Sequence, residues 1–259
     1  MKEKTFSHWI EAGIVLSLAV CIFSGIAAYA QLSHYARADD AYHALQEKSK
    51  SHSIPRHGPE RTPEADTSPQ TERSEKDFAE LRKESREIVG WLACEGTVID
   101  YPLMHTDNND FYLKHLYNGE ENSSGSLFLD YRNTGAFTDR NTVIYGHNMK
   151  NGTMFKTLVS YKSQEYYDEH PTFTLYTPDG DYLVELLSGT VEDGTYEFVR
   201  FDFDSDEALL EYVDELQSRS TFRPGVQAEP GDRLVSLCTC SYEWQNARYM
   251  VVGRLVAAS

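Results

Sequence analysis

The stretch Leu-Val-Ser-Leu-Cys-Thr-Cys-Ser-Tyr-Glu-Trp-Gln-Asn-Ala-Arg-Tyr-Met-Val-Val-Gly-Arg-Leu, residues 234–255, decides the fold class. In its first arm Val235, Leu237 and Thr239 alternate with Ser236, Cys238 and Cys240, and apolar, β-branched content resumes at Tyr249, Met250, Val251 and Val252. That alternation predicts two half-buried strands. Residues 241–246 between them are polar and few enough to form a hairpin loop. Cys240 then ends one strand and Arg248 opens the next, which brings both side chains to one end of a sheet. A cysteine nucleophile reacts as its thiolate, and a fixed cation stabilises both that form and an oxyanion created when it attacks a carbonyl. The hairpin alone also accommodates a plainer reading, Cys240 as a small buried hydrophobe and Arg248 as a surface strand residue, and on these residues alone that reading leads.

Upstream, residues 98–103, 126–130, 141–145, 172–176 and 181–187 read as short strands bounded by turn residues. Pro178-Asp179-Gly180-Asp181 is a hairpin signal. With residues 190–199 and the terminal pair the total is about eight strands, so a mostly β domain closing as an antiparallel barrel or packing as a sandwich is expected. Phe78, Leu81, Ser85, Ile88, Val89 and Leu92 recur at helical spacing with Gly90 near the end, predicting an amphipathic helix of about four turns at the start of the domain. Residues 206–217 carry Leu209, Leu210, Val213 and Leu216 on one helical face, after Asp204 or Ser205 as N-cap.

The chain has 259 residues, 24 basic and 41 acidic, for a formal charge of −17. This balance, with no basic stripe, argues against nucleic acid as a partner and against a broad electrostatic grip on an anionic surface. Cys21, Cys94, Cys238 and Cys240 are too few and too unevenly placed for a disulfide framework. Cys238 and Cys240 share a strand face, but Cα atoms at i and i+2 lie about 6.5–7 Å apart, at or beyond the disulfide limit.

Residues 1–11 are polar with Lys2 and Lys4, and residues 12–30 then run without a formal charge. A helix of that length is roughly 28 Å long, about the thickness of the hydrocarbon core. It is expected to span a membrane as an uncleaved anchor, since the apolar run exceeds a usual signal region; Ala28-Tyr29-Ala30 supplies the competing cleavage reading. The lysines before it and Asp39-Asp40 after it favour a cytoplasmic N-terminus and an exported remainder. Residues 31–50 predict a short solvated helix. Residues 51–74 collect Pro55, Pro59, Pro63 and Pro69 among polar residues, the composition of a disordered linker. The expected organisation is a tail over 1–11, an anchor over 12–30, a juxtamembrane segment and linker over 31–74 and a catalytic domain over 75–259.

Of nine histidines, five lie before residue 58, leaving His105, His115, His147 and His170 in the domain. His147 follows the strand Val143-Ile144-Tyr145 through Gly146 and precedes Asn148-Met149-Lys150-Asn151-Gly152. A tight turn at a strand end exposes an imidazole for acid/base work, and equally suits a histidine in solvent. Together, thiol, imidazole and guanidinium at strand ends supply nucleophile, proton carrier and oxyanion stabiliser.

Tyr145-Gly146-His147-Asn148-Met149 with Gly152-Thr153-Met154-Phe155, the upstream Phe128-Leu129-Asp130-Tyr131-Arg132-Asn133, and Ser236-Leu237-Cys238-Thr239-Cys240 with Arg248 resemble the class B sortases, whose cysteine motif runs Thr-Leu-x-Thr-Cys. The resemblance covers roughly residues 77–255. It implies a closed eight-stranded β-barrel with an N-terminal helix and a helix between strands six and seven, preceded by a transmembrane helix. It also implies a membrane-anchored cysteine transpeptidase with an extracellular catalytic domain and no metal or other cofactor. By resemblance, Cys240 attacks the Thr carbonyl of a C-terminal sorting signal in an exported protein and forms a thioacyl intermediate. An amine of the peptidoglycan precursor, or of a pilin lysine, then resolves it. His147 exchanges protons with the leaving and incoming amines, and Arg248 holds substrate and oxyanion. Asn109 matches a groove asparagine, and Tyr131 and Thr239 are further groove candidates.

The chain departs from the pattern in three places, the first being Ser236, which replaces the first Thr of the cysteine motif. Ser241 stands where some members carry an acid, so any orienting role of that acid is either absent or supplied elsewhere, with Glu243 the candidate. Cys238 occupies the variable motif position, on the face of Cys240, where it is expected to compete for alkylating reagents. Two other classes remain in view. A thiol hydrolase would resolve the same intermediate with water, and a non-enzymatic surface module would bind metal through Cys238, Cys240 and His147, an incomplete ligand set.

Overall fold

Ile88-Val89-Gly90-Trp91-Leu92-Ala93 forms a strand, β1 (Ile88–Ala93), where helical spacing predicted the end of a helix. The helix of this region, Phe78–Glu84, covers two turns and stops where Ser85 turns extended (φ −155°, ψ 129°). β-branched and aromatic residues prefer the pleated surface. Gly90 belongs there because a Cβ at that position would meet the Phe137 ring at 2.7 Å. Trp91 anchors the strand, fully buried with its indole N–H donating to Asp100 Oδ1 at 2.6 Å.

The computed structural model describes residues 2–51 and 76–258. Besides β1, the strands are β2 (Asp100–Met104), β3 (Leu127–Leu129), β4 (Asn141–Tyr145), β5 (Thr172–Thr177), β6 (Gly180–Asp193), β7 (Leu234–Cys240) and β8 (Ala247–Ala257). They close a barrel in the order β1-β2-β3-β4-β7-β8-β6-β5. Closure removes the sheet edges. Eight strands were expected, but two departures cancel in that count: β1 replaces helix, and β6 is one strand of 14 residues where two were read. Leu186 faces the barrel interior and Leu187 the outer layer, the alternation of the pleat, and a bulge between Leu186 and Ser188 then shifts the register with β8 without ending β6.

The helices are α1 (Lys2–Ser51), α2 (Phe78–Glu84), α3 (Gln164–Glu169) and α4 (Asp206–Ser218). α4 lies between β6 and β7, capped by Ser205, whose Oγ accepts from the Ala208 N–H at 3.2 Å. β4 and β7 are parallel neighbours, which requires a crossover. α4 covers the outer face of β7, its Leu209, Tyr212, Val213 and Leu216 packing with Leu234, Cys238, Met250 and Val252. Tyr212 takes the fully packed position expected of Leu210. The expected half-burial of β7 is corrected accordingly: Val235 and Leu237 fill the barrel, Leu234 and Cys238 lie under α4, and only Cys240 is partly open.

α1 is one continuous helix, and its C-terminal third is docked on the barrel rather than solvated. Ala38, Tyr42, Leu45 and Ser49 are buried along one stripe, at the three- and four-residue spacing of a helix face. The Tyr42 hydroxyl donates to the Gly125 carbonyl at 2.7 Å, Asn122 Nδ2 to the His34 carbonyl at 2.9 Å, and Gln46 Nε2 to the Asp100 carbonyl at 2.7 Å. Towards the N-terminus, Ile14, Leu18, Phe23 and Leu32 are exposed, and the helix is long and apolar enough to cross a membrane. The expected disordered linker, residues 51–74, lies outside the described residues except for Ser51, which ends α1.

Candidate active site

Cys240 and Arg248 are direct cross-strand partners at the open end of β7 and β8. Directly opposed residues project to the same face of an antiparallel pair, so guanidinium and thiol share one side of the sheet edge. Arg248 is held along its own strand by a bond from Nη1 to the Ala247 carbonyl, 3.1 Å. Cys240 is half-buried, and all four cysteines are free.

β4 and β7 run parallel with Tyr145 paired to Cys238. His147 and Cys240 each follow two residues later, so both emerge at the same level of the barrel rim. Three hydrogen bonds lace the two strand ends: Gly146 N–H to the Cys238 carbonyl (3.1 Å), Thr239 Oγ1 to the Gly146 carbonyl (2.7 Å) and Asn148 Nδ2 to the Cys240 carbonyl (2.8 Å). Gly146 is required by close approach, since a Cβ there would lie 2.4 Å from Leu127 and 2.6 Å from Phe155. His147 Nε2 sits 2.8 Å from the Leu113 carbonyl. A carbonyl only accepts, so Nε2 carries the proton and Nδ1 is the nitrogen left to exchange one.

His147, Cys240 and Arg248 line one groove of about 260 Å³, walled by Leu113, Phe128 and Tyr145, with Asn109 and Thr239 also in its lining. Tyr131 is placed differently: its side chain is exposed and outside that lining, while its backbone N–H donates to Asn109 Oδ1 at 2.9 Å. Thr239 is buried and committed to Gly146.

One residue of the quoted motifs has a part that sequence reasoning left unassigned. Asp130 is 0% exposed and accepts from Arg132 Nε (2.9 Å), Arg132 Nη2 (3.0 Å), Asn109 Nδ2 (3.0 Å) and the Tyr145 hydroxyl (3.0 Å). Burial pushes its carboxyl up, but the bonds from Arg132, Asn109 and Tyr145 outweigh that and hold it below the ordinary carboxylate value. The acid thereby fixes two groove residues, Asn109 and Tyr145. An aspartate closing an otherwise apolar strand, Leu127-Phe128-Leu129-Asp130, was the available signal.

Glu243 is not an orienting acid for His147 or Arg248. It pairs with Lys162 and accepts from Ser241 Oγ, while Lys162 Nζ donates to Ser241 Oγ at 2.9 Å. The three pin the loop after Cys240 to the 3-10 helix Phe155–Lys162. Burial pushes the Glu243 carboxyl up, and the Lys162 and Ser241 hydrogen bonds more than reverse this, bringing it down to about 2. Cys238 does not share the exposure of Cys240: it is 1% exposed, and burial, with Glu192 adding to it, pushes its thiol well up. Among the described residues, no three His, Cys, Asp or Glu side chains group to hold a metal ion.

No protein-family profile matches the chain. Among curated proteins, sortase B of Listeria monocytogenes is 35% identical over 182 residues, spanning 70% of this chain and 74% of that one. The chain belongs to the sortase B family. Sortase B of Staphylococcus aureus is 30% identical over 184 residues, 70% of this chain and 75% of that one. Solved structures agree. A Staphylococcus aureus sortase B–substrate complex superposes with a TM-score of 0.75 at 27% identity, covering 88% of this chain and 100% of that chain. Bacillus anthracis sortase B in complex with AAEK1 gives 0.73 at 29%, again covering 88% and 100%. The protein is thus a cysteine transpeptidase of the cell-wall anchoring kind, acting on proteins that carry a sorting signal and on an amine acceptor.

Proposed function

We propose that Cys240, His147 and Arg248 perform the transpeptidation, and that α1 anchors the enzyme through residues 12–30 with the N-terminus cytoplasmic and the barrel extracellular. The observation that carries this reading is the convergence of the three side chains on one groove at the barrel rim.

The Cys240 thiolate attacks the carbonyl carbon of the Thr in the sorting signal. A C–S bond forms, and the carbonyl oxygen takes the negative charge opposite the Arg248 guanidinium. Collapse breaks the C–N bond, and the leaving amine takes its proton from His147 Nδ1. The incoming amine then attacks the thioacyl carbon and returns a proton to His147, and the C–S bond breaks to restore the thiolate. Asn109 and Thr239 line the substrate side, and Tyr131 flanks it from the adjoining loop. The acceptor is an amine of the peptidoglycan precursor, with a pilin lysine as the alternative. The catalytic domain is residues 75–259, and residues 31–50 act with it, because the docked part of α1 completes its surface.

The test is cleavage of sorting-signal peptides by the full-length protein in detergent, followed by mass spectrometry with and without a diamine. Wild type should give a cleaved product and an amine adduct, and Cys240→Ala neither. A product that is only the free acid, unchanged by added amine, would instead mark a thiol hydrolase.

A further inference from the structure

Arg132 stands outside the groove lining, and its guanidinium joins two segments that flank the groove. Nε and Nη2 form a fork on Asp130, reaching its two carboxylate oxygens at 2.9 and 3.0 Å, and Nη1 pairs with Glu197. The same guanidinium stacks on the Phe201 ring, with Cζ 3.8 Å from the ring centroid. On one side Arg132 thus grips the buried acid that holds Asn109 and Tyr145. On the other it grips two residues of the stretch 194–205, which joins β6 to α4.

That stretch begins beside Arg248. The Gly194 N–H donates to the Asn246 carbonyl at 2.9 Å, and a Cβ on Gly194 would lie 2.9 Å from Arg248 Cγ. Arg248 on β8 and Tyr145 on β4 line the groove from either side of β7, so residues 194–197 cross from one flank to the other. Three residues reach at most about 10–11 Å, and with both ends fastened the flanks are held at a fixed separation. Thr195, Tyr196 and Glu197 are exposed, so polar contacts and not burial secure the crossing. An exposed ion pair contributes little when two free side chains must be ordered to make it. Here the fork on Asp130 has already fixed the guanidinium, and Glu197 and Phe201 meet a cation with little rotamer freedom left to lose. We propose that Arg132 is a positioning residue that ties the Arg248 flank of the groove to the Asn109 and Tyr145 flank through Glu197 and Phe201, and so sets the fit of the sorting-signal peptide. The inference rests on the reading of this groove as the substrate groove.

The experiment compares full-length wild type, Glu197→Ala, Glu197→Gln and Phe201→Leu in detergent, assayed on a sorting-signal peptide. Glu197 is exposed and leucine keeps an apolar side chain at position 201, so folding is preserved. Groove spacing acts on bound substrate and transition state alike, so KM should rise about threefold to fivefold in Glu197→Ala and in Phe201→Leu with kcat within about twofold. Glu197→Gln, whose amide oxygen still accepts from Arg132, should recover part of the loss. Raising salt from about 0.1 to 1 M screens an exposed pair and should narrow the KM gap between wild type and Glu197→Ala. Unchanged KM in Glu197→Ala, or a loss confined to kcat, would overturn the proposal. A second readout is independent of turnover: amide hydrogen exchange over residues 194–201, followed by mass spectrometry, should quicken in Glu197→Ala while the barrel strands keep their protection. Unmoved exchange contradicts the positioning role even if wild type cleaves no peptide, an outcome that would instead count against the proposed function.

Discussion

The Asn148 side-chain amide donates to the main-chain carbonyl of Cys240 at 2.8 Å, joining the residue after His147 to the end of β7. This bond and the one from Thr239 to Gly146 set how far the His147 turn stands from the thiol. Asn148 has no other side-chain anchor, because its buried Oδ1 is without a partner.

Asn148→Ala should therefore reduce kcat by about tenfold, the effect of misplacing acid/base and nucleophile, with KM little changed. Asn148→Asp should do the same, since a carboxylate cannot donate to a carbonyl. Steady-state kinetics on both variants check this, and an unaffected kcat in either would contradict the positioning role.

Within the barrel, iodoacetamide near neutral pH should modify Cys240 and leave Cys238 and Cys94 intact. Cys238 and Cys94 are buried, and burial raises both thiols. Peptide mapping by mass spectrometry reads the sites. Labelling of Cys238 at a rate near that of Cys240 would show that α4 does not seal the outer face of β7.

The Glu243–Lys162–Ser241 lock has a definite pH window. The folded-state value of Glu243 lies below its ordinary 4.5, at about 2. A depressed carboxylate contributes stability that is present above the unfolded value and lost as pH falls through the folded one. The stability difference between wild type and Glu243→Gln should hold steady above about pH 5 and shrink between about pH 4.5 and 2. Denaturation followed across that range checks it, and a difference independent of pH would exclude the lock.

Leu45→Ala should destabilise the folded protein by about 2–5 kcal/mol, as for other fully buried leucines. Leu45 is 0% exposed, against the barrel. Thermal melts of the full-length protein decide between this and a solvated helix, for which the melting temperature would not move.

Much of the architecture was legible from period and punctuation. The strand 172–177 alternates cleanly, 141–145 is a β-branched run ending at Gly146, and α4 carries an apolar face after Ser205. What was not legible depends on tertiary contact. The 88–93 segment satisfies helical and strand spacing alike, and its choice is made by pairing with β2 and β5. The docked stripe of α1 is sparse in sequence because Ala38 and Ser49 carry little hydrophobic signal, although the barrel buries both. At the candidate site, the motifs around His147, Cys240 and Arg248 stand out because imidazole, thiol and guanidinium are the groups an acyl transfer would use. Asp130, Asn148 and Lys162 are ordinary polar residues until the barrel closes and brings distant strands to one rim.

The proposed transpeptidation requires Cys240 as the nucleophile of an amine-resolved acyl transfer. Intact-mass and product analysis of the full-length protein incubated with sorting-signal peptides and a diamine tests it most directly. Wild type and Cys238→Ala should give an amine-ligated Thr-terminated product, and Cys240→Ala none. Retained cleavage in Cys240→Ala would contradict it.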